Sequence, residues 1–313
     1  MQKKDSGVAV VIGTIMLIAI AVSLMSTYLF WYIPYEGTFN EQNYYLQTQS
    51  AFSTLENKLN SNNIVPGAIV TQSIPIGISG EPPFTPETDT TVIFSNSTSN
   101  MFALSISYNV TVDNKVTGLK NYTFTNTYNS TGMVYSVAQL QYLISYGYAI
   151  ENGLLFRDEG VQSGLLSGSH FSMQNLSGNF TLSAEFLNIS GQGVSVGGYG
   201  AAIFQSEFSI IQNTTLNLGE NSSLVNKGFV SGTIAGITVK SISYYVNGTF
   251  AKAFDLALIN EFNYSAESNY TSWAFMHVMS VTLKGSSLLL HNTRIMKMKS
   301  LSLGYGSTDL LAL

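Results

Sequence analysis

The amino-acid sequence predicts a mainly β protein that begins with a long apolar α-helix, continues into a stalk helix and ends in an antiparallel β-sandwich. Residues 8–33 contain no charged side chain, and only 10% of the 313 residues are charged. After residue 89, apolar and polar residues alternate in short runs without the βαβ spacing of a parallel sheet. The runs predicted as strands are 90–95, 102–112, 121–128, 178–190, 207–218, 237–246, 278–284 and 286–291.

The segment 8–33 is long enough to cross a membrane, because about 20 apolar residues at about 1.5 Å each span a bilayer core. A cleavable secretory signal usually has a shorter apolar core of roughly 7–15 residues and a cleavage site of small residues. This segment ends instead in the bulky sequence FWYI, which suits the aromatic belt of a membrane interface. Lys3 and Lys4 predict a cytoplasmic N-terminus and an extracellular location for the chain after Pro34.

The start of this segment resembles the N-terminus of archaeal type IV pilins and pilin-like proteins. Their precursors carry a short charged leader, a glycine and an apolar helix with a V-I-G-x-I-x-L pattern; here KKDSG ends at Gly7 and VAVVIGTIML follows. The resemblance implies that a membrane-embedded prepilin peptidase cuts between Gly7 and Val8 and that the helix is retained. Many euryarchaeal members have Ser-Pro after the cut, where this chain has Ala9 and Val10. The alternative is a plain signal anchor.

Four later segments resemble, in the same order, archaeal surface proteins that share this N-terminus. They are AFSTLENKL (51–59), IPIGISGEPPF (74–84), YAIENGLLFRDEG (148–160) and VSVGGYGAAIF (194–204). The resemblance implies a cell-surface location and an architecture, and it implies no activity.

The predicted parts of the chain are a leader at 1–7, a transmembrane or pilin helix at 8–33, a kink and amphipathic stalk helix at 34–61, and a β-rich extracellular domain at 62–313. Pro34 and Gly37 are expected to break the membrane helix. The stalk helix is predicted because apolar residues recur at helical spacing and form one face for the body. Those residues are Tyr45, Phe52, Leu55 and Leu59. The alternative is an ordinary core-packing helix.

Two local features interrupt the predicted strands. Asn152-Gly153 lies between the apolar runs YAI and LLF, which predicts a tight β-hairpin turn. The segment 249–262 has the pattern of a short helix.

The sequence offers little catalytic or metal-binding chemistry. The three histidines, His170, His277 and His291, are far apart, and the chain contains no cysteine, so no zinc pattern is present. GVSVG around Ser195 matches G-x-S-x-G, but another strand-like run follows where a nucleophile elbow needs a helix. We therefore expect no enzyme activity, no metal and no cofactor. The net charge of −5 gives no reason to expect nucleic acid as a partner.

The low content of charged residues leads to the hypothesis of an acidophilic host. The chain has only 13 Lys and Arg residues. Protonating the carboxylates therefore leaves a modest positive charge, so self-repulsion stays small.

Twelve Asn-x-Ser/Thr acceptors follow residue 95, and none precedes it. An acceptor that carries an N-glycan must lie on the surface of an exported domain. The alternative is that a Ser- and Thr-rich β protein contains such triplets by composition. The acceptors are Asn96, Asn109, Asn121, Asn129, Asn175, Asn179, Asn188, Asn213, Asn221, Asn247, Asn263 and Asn269.

Small residues on the apolar helix suggest a packing surface. Ala9 and Gly13 are four residues apart, as are Ala19 and Ser23, and small residues at this spacing let membrane helices approach closely. The expected partners are copies of the chain or other pilins, with the helix in the membrane or filament core and the C-terminal domain outside the cell. The alternative function is that of a non-polymerising, membrane-anchored cell-surface binding or envelope protein.

The first testable prediction concerns processing. Protein purified from its native host should begin at Val8, and Gly7→Val should block the cut because the peptidase reads the glycine. N-terminal sequencing and intact-mass measurement check this, and the same mass reports any N-glycans as an excess over the bare polypeptide. A chain that begins at Met1, or beyond Pro34, would contradict the prediction.

Overall fold

The N-terminal helix is continuous in the computed structural model of the chain. Helix α1, Asp5–Thr27, passes through a π-helical turn at Tyr28–Tyr32 into helix α2, Ile33–Leu59. In the π turn the Ile33 N–H bonds to the carbonyl of Tyr28, five residues earlier. The expectation that Pro34 and Gly37 break the helix is therefore wrong. Pro34 lies in the first turn of α2, and the extra residue of the π turn accommodates a ring that would otherwise clash with the preceding turn.

The structure describes residues 5–61, 65–80, 85–96, 102–143, 147–159, 163–167, 171–176, 179–184, 186–217, 219, 221–222, 232–246, 250, 253, 269–273 and 276–304. The predicted helix at 249–262 lies outside these residues except for Phe250 and Ala253.

The rest of the described chain consists mostly of β-strands. In chain order they are β1 Ile69–Ile76, β2 Thr90–Asn96, β3 Phe102–Asn114, β4 Gly118–Ser130, β5 Gly132–Ala138, β6 Gly147–Glu151, β7 Leu154–Asp158, β8 Ser163–Ser167, β9 Phe171–Leu176, β10 Asn179–Ala184, β11 Phe186–Ser190, β12 Val194–Gly198, β13 Gly200–Asn217, β14 Asn221–Ser222, β15 Gly232–Val246, β16 Asn269–Trp273 and β17 Met276–Gly304. The predicted class, mainly β with an N-terminal helix, is confirmed.

These strands form two sheets. The larger sheet has the order β1-β13-β17-β15-β3-β4, and the smaller sheet has the order β12-β2-β5-β6-β7-β8. Neighbours along both orders are antiparallel. Two short strands depart from the predicted pattern, because β10 and β11 pair with β17 in parallel. The predicted strands 278–284 and 286–291 are parts of one long strand, β17.

The smaller sheet is covered by apolar side chains on both faces. Tyr148 and Ile150 of β6 belong to a core cluster with Phe52 of the helix, whereas Ala149 between them belongs to a second cluster with Phe102 of β3. Successive side chains of a strand point to opposite faces, so the sheet lies between the helix on one side and β3 with β15 on the other. This explains why YAI and LLF are continuous apolar runs without alternation.

The stalk helix belongs to this core. Phe52, Leu55 and Leu59 are 0% exposed and pack with Val134 and Phe204 of the two sheets. The predicted apolar face is therefore correct. The second half of α2 therefore shares one hydrophobic core with strands that follow the predicted boundary at 61/62.

The Asn152-Gly153 turn is confirmed, and it is buried. Both residues have positive φ, 50° and 75°, as the two central positions of a type I′ turn require. Asn152 is only 1% exposed, and its Oδ1 accepts the Leu187 N–H at 3.1 Å. The turn is thus held inside the domain by a neighbouring strand.

Glu151, beside this turn, is a buried carboxyl group. It is 2% exposed, and its Oε1 has no hydrogen-bond partner within the described part of the chain. Burial raises the pKa of Glu151 from its ordinary value of 4.5 to about 8. Because the folded state prefers the protonated form, this group favours folding fully below pH 4.5, and the contribution is lost as the pH rises to about 8.

We expect Glu151→Gln to remove this pH dependence. At about pH 4 the variant should be no more stable than the wild type, since both side chains are neutral. At about pH 8 the variant should be more stable than the wild type by a few kcal/mol, because each unit of the pKa difference corresponds to about 1.4 kcal/mol. Denaturant unfolding of the full chain in detergent at both pH values measures the difference. Glu87→Gln, at an exposed carboxylate, is the control. If the effect of Glu151→Gln on stability did not depend on pH, the raised pKa of Glu151 would be contradicted.

Candidate functional site: the helix clasp and its groove

The four sequence motifs meet around helix α2. AFSTLENKL forms the end of the helix, and the other three motifs supply β1, the β6–β7 hairpin and the β12–β13 connection. Strand β1 pairs with β13, with Ile76 opposite Gly200. We call the contacts that hold residues 37–60 of α2 against the body the helix clasp.

At the end of the clasp nearest to α1, one carboxylate holds a loop. Glu41, 4% exposed, accepts the backbone N–H groups of Gln141, Tyr142 and Leu143 at 2.5–3.0 Å. One turn earlier, Gly37 leaves the space for the Tyr142 ring, which a Cβ at that position would overlap. Hydrogen bonds from backbone amides to an ionised carboxylate are stronger than neutral ones, so Glu41 fixes this loop on the helix.

Aromatic contacts hold the middle of the clasp. The ring of Tyr148 on β6 lies 5.4 Å from that of Tyr45 and 6.1 Å from that of Phe52. The Tyr148 hydroxyl donates to Gln49 Oε1 at 3.4 Å. Arg157 Nη1 donates to the Tyr45 hydroxyl at 3.1 Å. The helix thus contacts both strands of the buried hairpin.

The end of α2 is fixed by two polar side chains. Asn60 Nδ2 donates to the carbonyl of Gly153 in the type I′ turn at 2.8 Å. Lys58 Nζ donates to the Thr71 carbonyl at 2.9 Å and to Gln72 Oε1 at 2.8 Å. Each such bond contributes about 0.5–1.5 kcal/mol net. These bonds therefore fix the orientation of the helix end, and most of the stabilisation comes from apolar burial.

A groove of about 300 Å³ lies between the helix and the body, next to the clasp. Asn40, Asn43 and Gln47 form part of its helical wall, and Ser79 and Tyr199 form part of the opposite wall. The Tyr199 hydroxyl and Ser79 Oγ are 2.9 Å apart and share a hydrogen bond. None of the residues that line the groove is charged.

Three glycines from two of the motifs determine the position of Tyr199 in this groove. Gly77 has φ +83°, and its missing Cβ leaves the space that the Tyr199 ring occupies. Gly198 and Gly200, on either side of Tyr199, also have positive φ, a conformation that glycine adopts at little cost. Both glycine-rich motifs are visible in the sequence, but the contact between Gly77 and Tyr199 was not predicted; the spacing G-G-Y-G was the available signal.

The predicted processing and packing residues lie away from the clasp. Gly7, Val8, Ala9, Gly13, Ala19 and Ser23 all lie in α1. A Cβ at Gly13 would meet no atom within 4 Å, and the apolar side chains of α1 from Val10 to Met25 are at least 52% exposed. This helix is long and apolar enough to cross a membrane, a test that an N-terminal signal sequence also passes.

The predicted glycan acceptors within the described residues lie in the strands. Asn96, Asn121 and Asn129 are exposed, and Asn109 and Asn188 are half-buried. The backbones of five more lie in strands, namely Asn175, Asn179, Asn213, Asn221 and Asn269. Asn247 and Asn263 lie outside the described residues.

Two acceptors also serve the sheet. Asn109 and Thr123 face each other across β3 and β4, as do Thr111 and Asn121. Thr123 Oγ1 donates to Asn109 Oδ1 at 2.8 Å, and Thr111 Oγ1 donates to Asn121 Oδ1 at 2.6 Å. The Thr hydroxyl of each Asn-x-Thr triplet thus donates a hydrogen bond to the Asn side chain of the other triplet. Both triplets therefore have a structural role besides any modification.

The G-x-S-x-G match does not form a nucleophile elbow. Ser195 lies within β12, which continues through Tyr199 into β13 without a helix, whereas that chemistry needs a strand-to-helix turn. His277 and His291 lie in β17, and His170 is outside the described residues. Within the described ranges, no group of three His, Asp or Glu side chains is arranged to hold a metal.

We expect Glu41→Gln to weaken the clasp. The amide group of Gln would face backbone N–H groups that need an acceptor, which should destabilise the fold by about 1–3 kcal/mol. Amide hydrogen exchange at Gln141–Leu143 should accelerate, as measured by mass spectrometry on the full chain. Glu36→Gln on the same helix is the control, because no bond joins Glu36 to a backbone amide in the described structure. Unchanged exchange in Glu41→Gln would show that the carboxylate does not hold the loop.

No family model, curated protein or solved structure matches this chain. The function is therefore proposed from the helix, the clasp and the residues that resemble archaeal pilins.

Proposed function

We propose that this chain is a pilin-like extracellular structural subunit, assembled into a filament or anchored through its N-terminal helix, which serves surface adhesion or cell contact. The observation that carries the proposal is that one continuous helix has two different environments. The apolar side chains of α1 are exposed, with Leu17 at 70% and Leu24 at 67%, whereas Phe52 and Leu55 of α2 are 0% exposed. The helix is thus fixed in its own domain at one end and offers an apolar surface at the other.

A second apolar surface continues beyond the segment that would cross a membrane. Tyr35, Phe39 and Leu46 are 61%, 51% and 52% exposed. Their spacing puts them within about 40° on one side of the helix, at about 100° per residue. A membrane anchor needs no apolar stripe above the bilayer, so this stripe favours packing against the helix of another subunit.

The small residues of α1 provide the closest approach in such a bundle. At about 100° per residue, Ala9, Gly13, Ala19 and Ser23 fall within an arc of about 120°. Cleavage by a prepilin peptidase after Gly7 would leave these residues at the start of the mature helix. A contact between identical chains that does not close on itself produces an open filament.

The β-rich domain then covers the outside of the filament. We propose that its two sheets pack as an antiparallel sandwich, supported by the apolar clusters on both faces of the smaller sheet. N-glycans at exposed acceptors such as Asn96 and Asn129 would lie on its outer surface. In this proposal the domain lies at the cell surface and the helix lies in the membrane or the filament core.

The alternative is a membrane-anchored surface or envelope protein that does not polymerise. It shares the exported domain and the apolar helix, and it differs in leaving the stripe of Tyr35, Phe39 and Leu46 without a helical partner. Filaments that contain this chain would therefore separate the two functions.

We expect Gly13→Leu to reduce incorporation into filaments by at least several-fold while the β-rich domain stays folded, because a bulky side chain blocks close approach and meets no atom of its own chain. Ala21→Leu, outside the arc of small residues, is the matched control. Immunogold imaging of host cells measures incorporation, and circular dichroism measures folding.

A chain that begins at Ile33 keeps the clasp and the stripe of Tyr35, Phe39 and Leu46 but loses α1 and its small residues, so it should form no filaments. Filaments formed by this shorter chain, or normal incorporation of Gly13→Leu, would count against assembly through α1.

A further inference from the structure

The groove beside the clasp has properties that neither a filament subunit nor an anchor requires. We propose that the groove between α2 and Tyr199 binds a neutral saccharide of one or two sugar rings. This proposal does not depend on whether the chain forms filaments. The volume of the groove, about 300 Å³, is at the lower end of the range for small-molecule sites. This volume sets the limit of one or two sugar rings.

The chemistry of the walls selects the class of ligand. The helical wall presents the side-chain amides of Asn40, Asn43 and Gln47, and each amide offers both a donor and an acceptor. Sugar hydroxyls need the same pair. No lining residue carries a charge, so a phosphate or a sugar acid would lose hydration without gaining a counter-charge.

Two of these amides are available to a ligand. Within the described residues, no hydrogen bond joins the side chains of Asn43 and Gln47 to the protein, and Gln47 is exposed. Tyr44 also lines the groove and is 7% exposed. Its hydroxyl lies near those of Thr48 and Thr90 but has no well-formed hydrogen bond in the described structure. Because this hydroxyl oxygen is itself buried, a ligand in the groove would bond to the amides of Asn43 and Gln47 instead.

Tyr199 supplies a rigid apolar surface opposite the amides. Although it is 49% exposed, its ring packs against Gly77 and its hydroxyl is bonded to Ser79. An aromatic ring that is already immobilised loses little conformational entropy on binding. Such a ring can contact the C–H face of a sugar while its polar edge stays hydrated.

Neutral sugars could reach this groove from two sources, namely the N-glycan of a neighbouring copy or an external polysaccharide. Both present the same chemistry to the groove. The test therefore begins with defined sugars and then compares the two sources.

The test uses the full chain, made without glycans and reconstituted in lipid nanodiscs, since sugar-headed detergents would compete. The probes are methyl glycosides of glucose, mannose, galactose and N-acetylglucosamine, with cellobiose and chitobiose as disaccharides. Saturation-transfer NMR and titration calorimetry should show binding to at least one probe at about millimolar Kd, the affinity of a few hydrogen bonds in an open site.

Variants locate the binding. Tyr199→Ala and Gln47→Ala should each weaken it by about tenfold or more, whereas Tyr199→Phe, which keeps the ring, should stay within about threefold. Gln42→Ala, an exposed residue on the same helix, is the control and should have no effect. Thermal unfolding of each variant checks that the domain remains folded.

The two sources are separated by competition against the probe that binds. Inhibition by glycopeptides released from the native protein supports a glycan of the chain itself, and inhibition by polysaccharide from the host culture supports an external ligand. Three results would overturn the proposal: no binding of any probe at about 10 mM, binding unchanged in both Tyr199→Ala and Gln47→Ala, or equal binding of methyl glucuronide, a charged analogue.

Discussion

The burial of one face of α2 in the β core is the interaction on which the other features depend. Phe52, Leu55 and Leu59 are fully buried, and each buried side chain of this size contributes about 1.5–3 kcal/mol. This contact brings the helix close enough for Glu41 and Asn60 to bond to the body. It also forms one wall of the groove, so the groove exists only while the helix is docked.

The π turn connects two helices that meet different requirements. α1 exposes its large apolar side chains from Val10 to Met25, and α2 buries the apolar face of Phe52, Leu55 and Leu59. Pro34 lies where they join, and the change in hydrogen bonding at Tyr28–Tyr32 lets the chain pass this residue without ending the helix. The aromatic rings of Tyr28 and Tyr32 stack across the turn at 5.0 Å.

Local chemistry explains which predictions from sequence were correct. The spacing of Phe52, Leu55 and Leu59 follows from the period of the helix itself. Asn152 and Gly153 form a turn because both residue types adopt the positive φ that a type I′ turn requires. The break expected at Pro34 was wrong because the π turn depends on the residues before it. The clasp could not be predicted, because Glu41 bonds to backbone amides about 100 residues later in the chain. Nearly every residue has a backbone N–H group, so the residue types at these positions do not identify them as partners. Tyr199 was missed because its position depends on Gly77, which lies in another motif.

The long sequence separation of the clasp contacts has a consequence for the order of folding. Asn60 and its partner Gly153 are 93 residues apart, and Glu41 and Gln141 are 100 apart. Because chains are made from the N-terminus at about 5–20 residues per second, α2 must wait on the order of 5–20 s for the hairpin that buries it. During that interval β1 is already available to pack against Phe52 and Leu55, but β6 and β7 are not. Docking of α2 against the buried hairpin is therefore a late step of folding that joins distant parts of the chain.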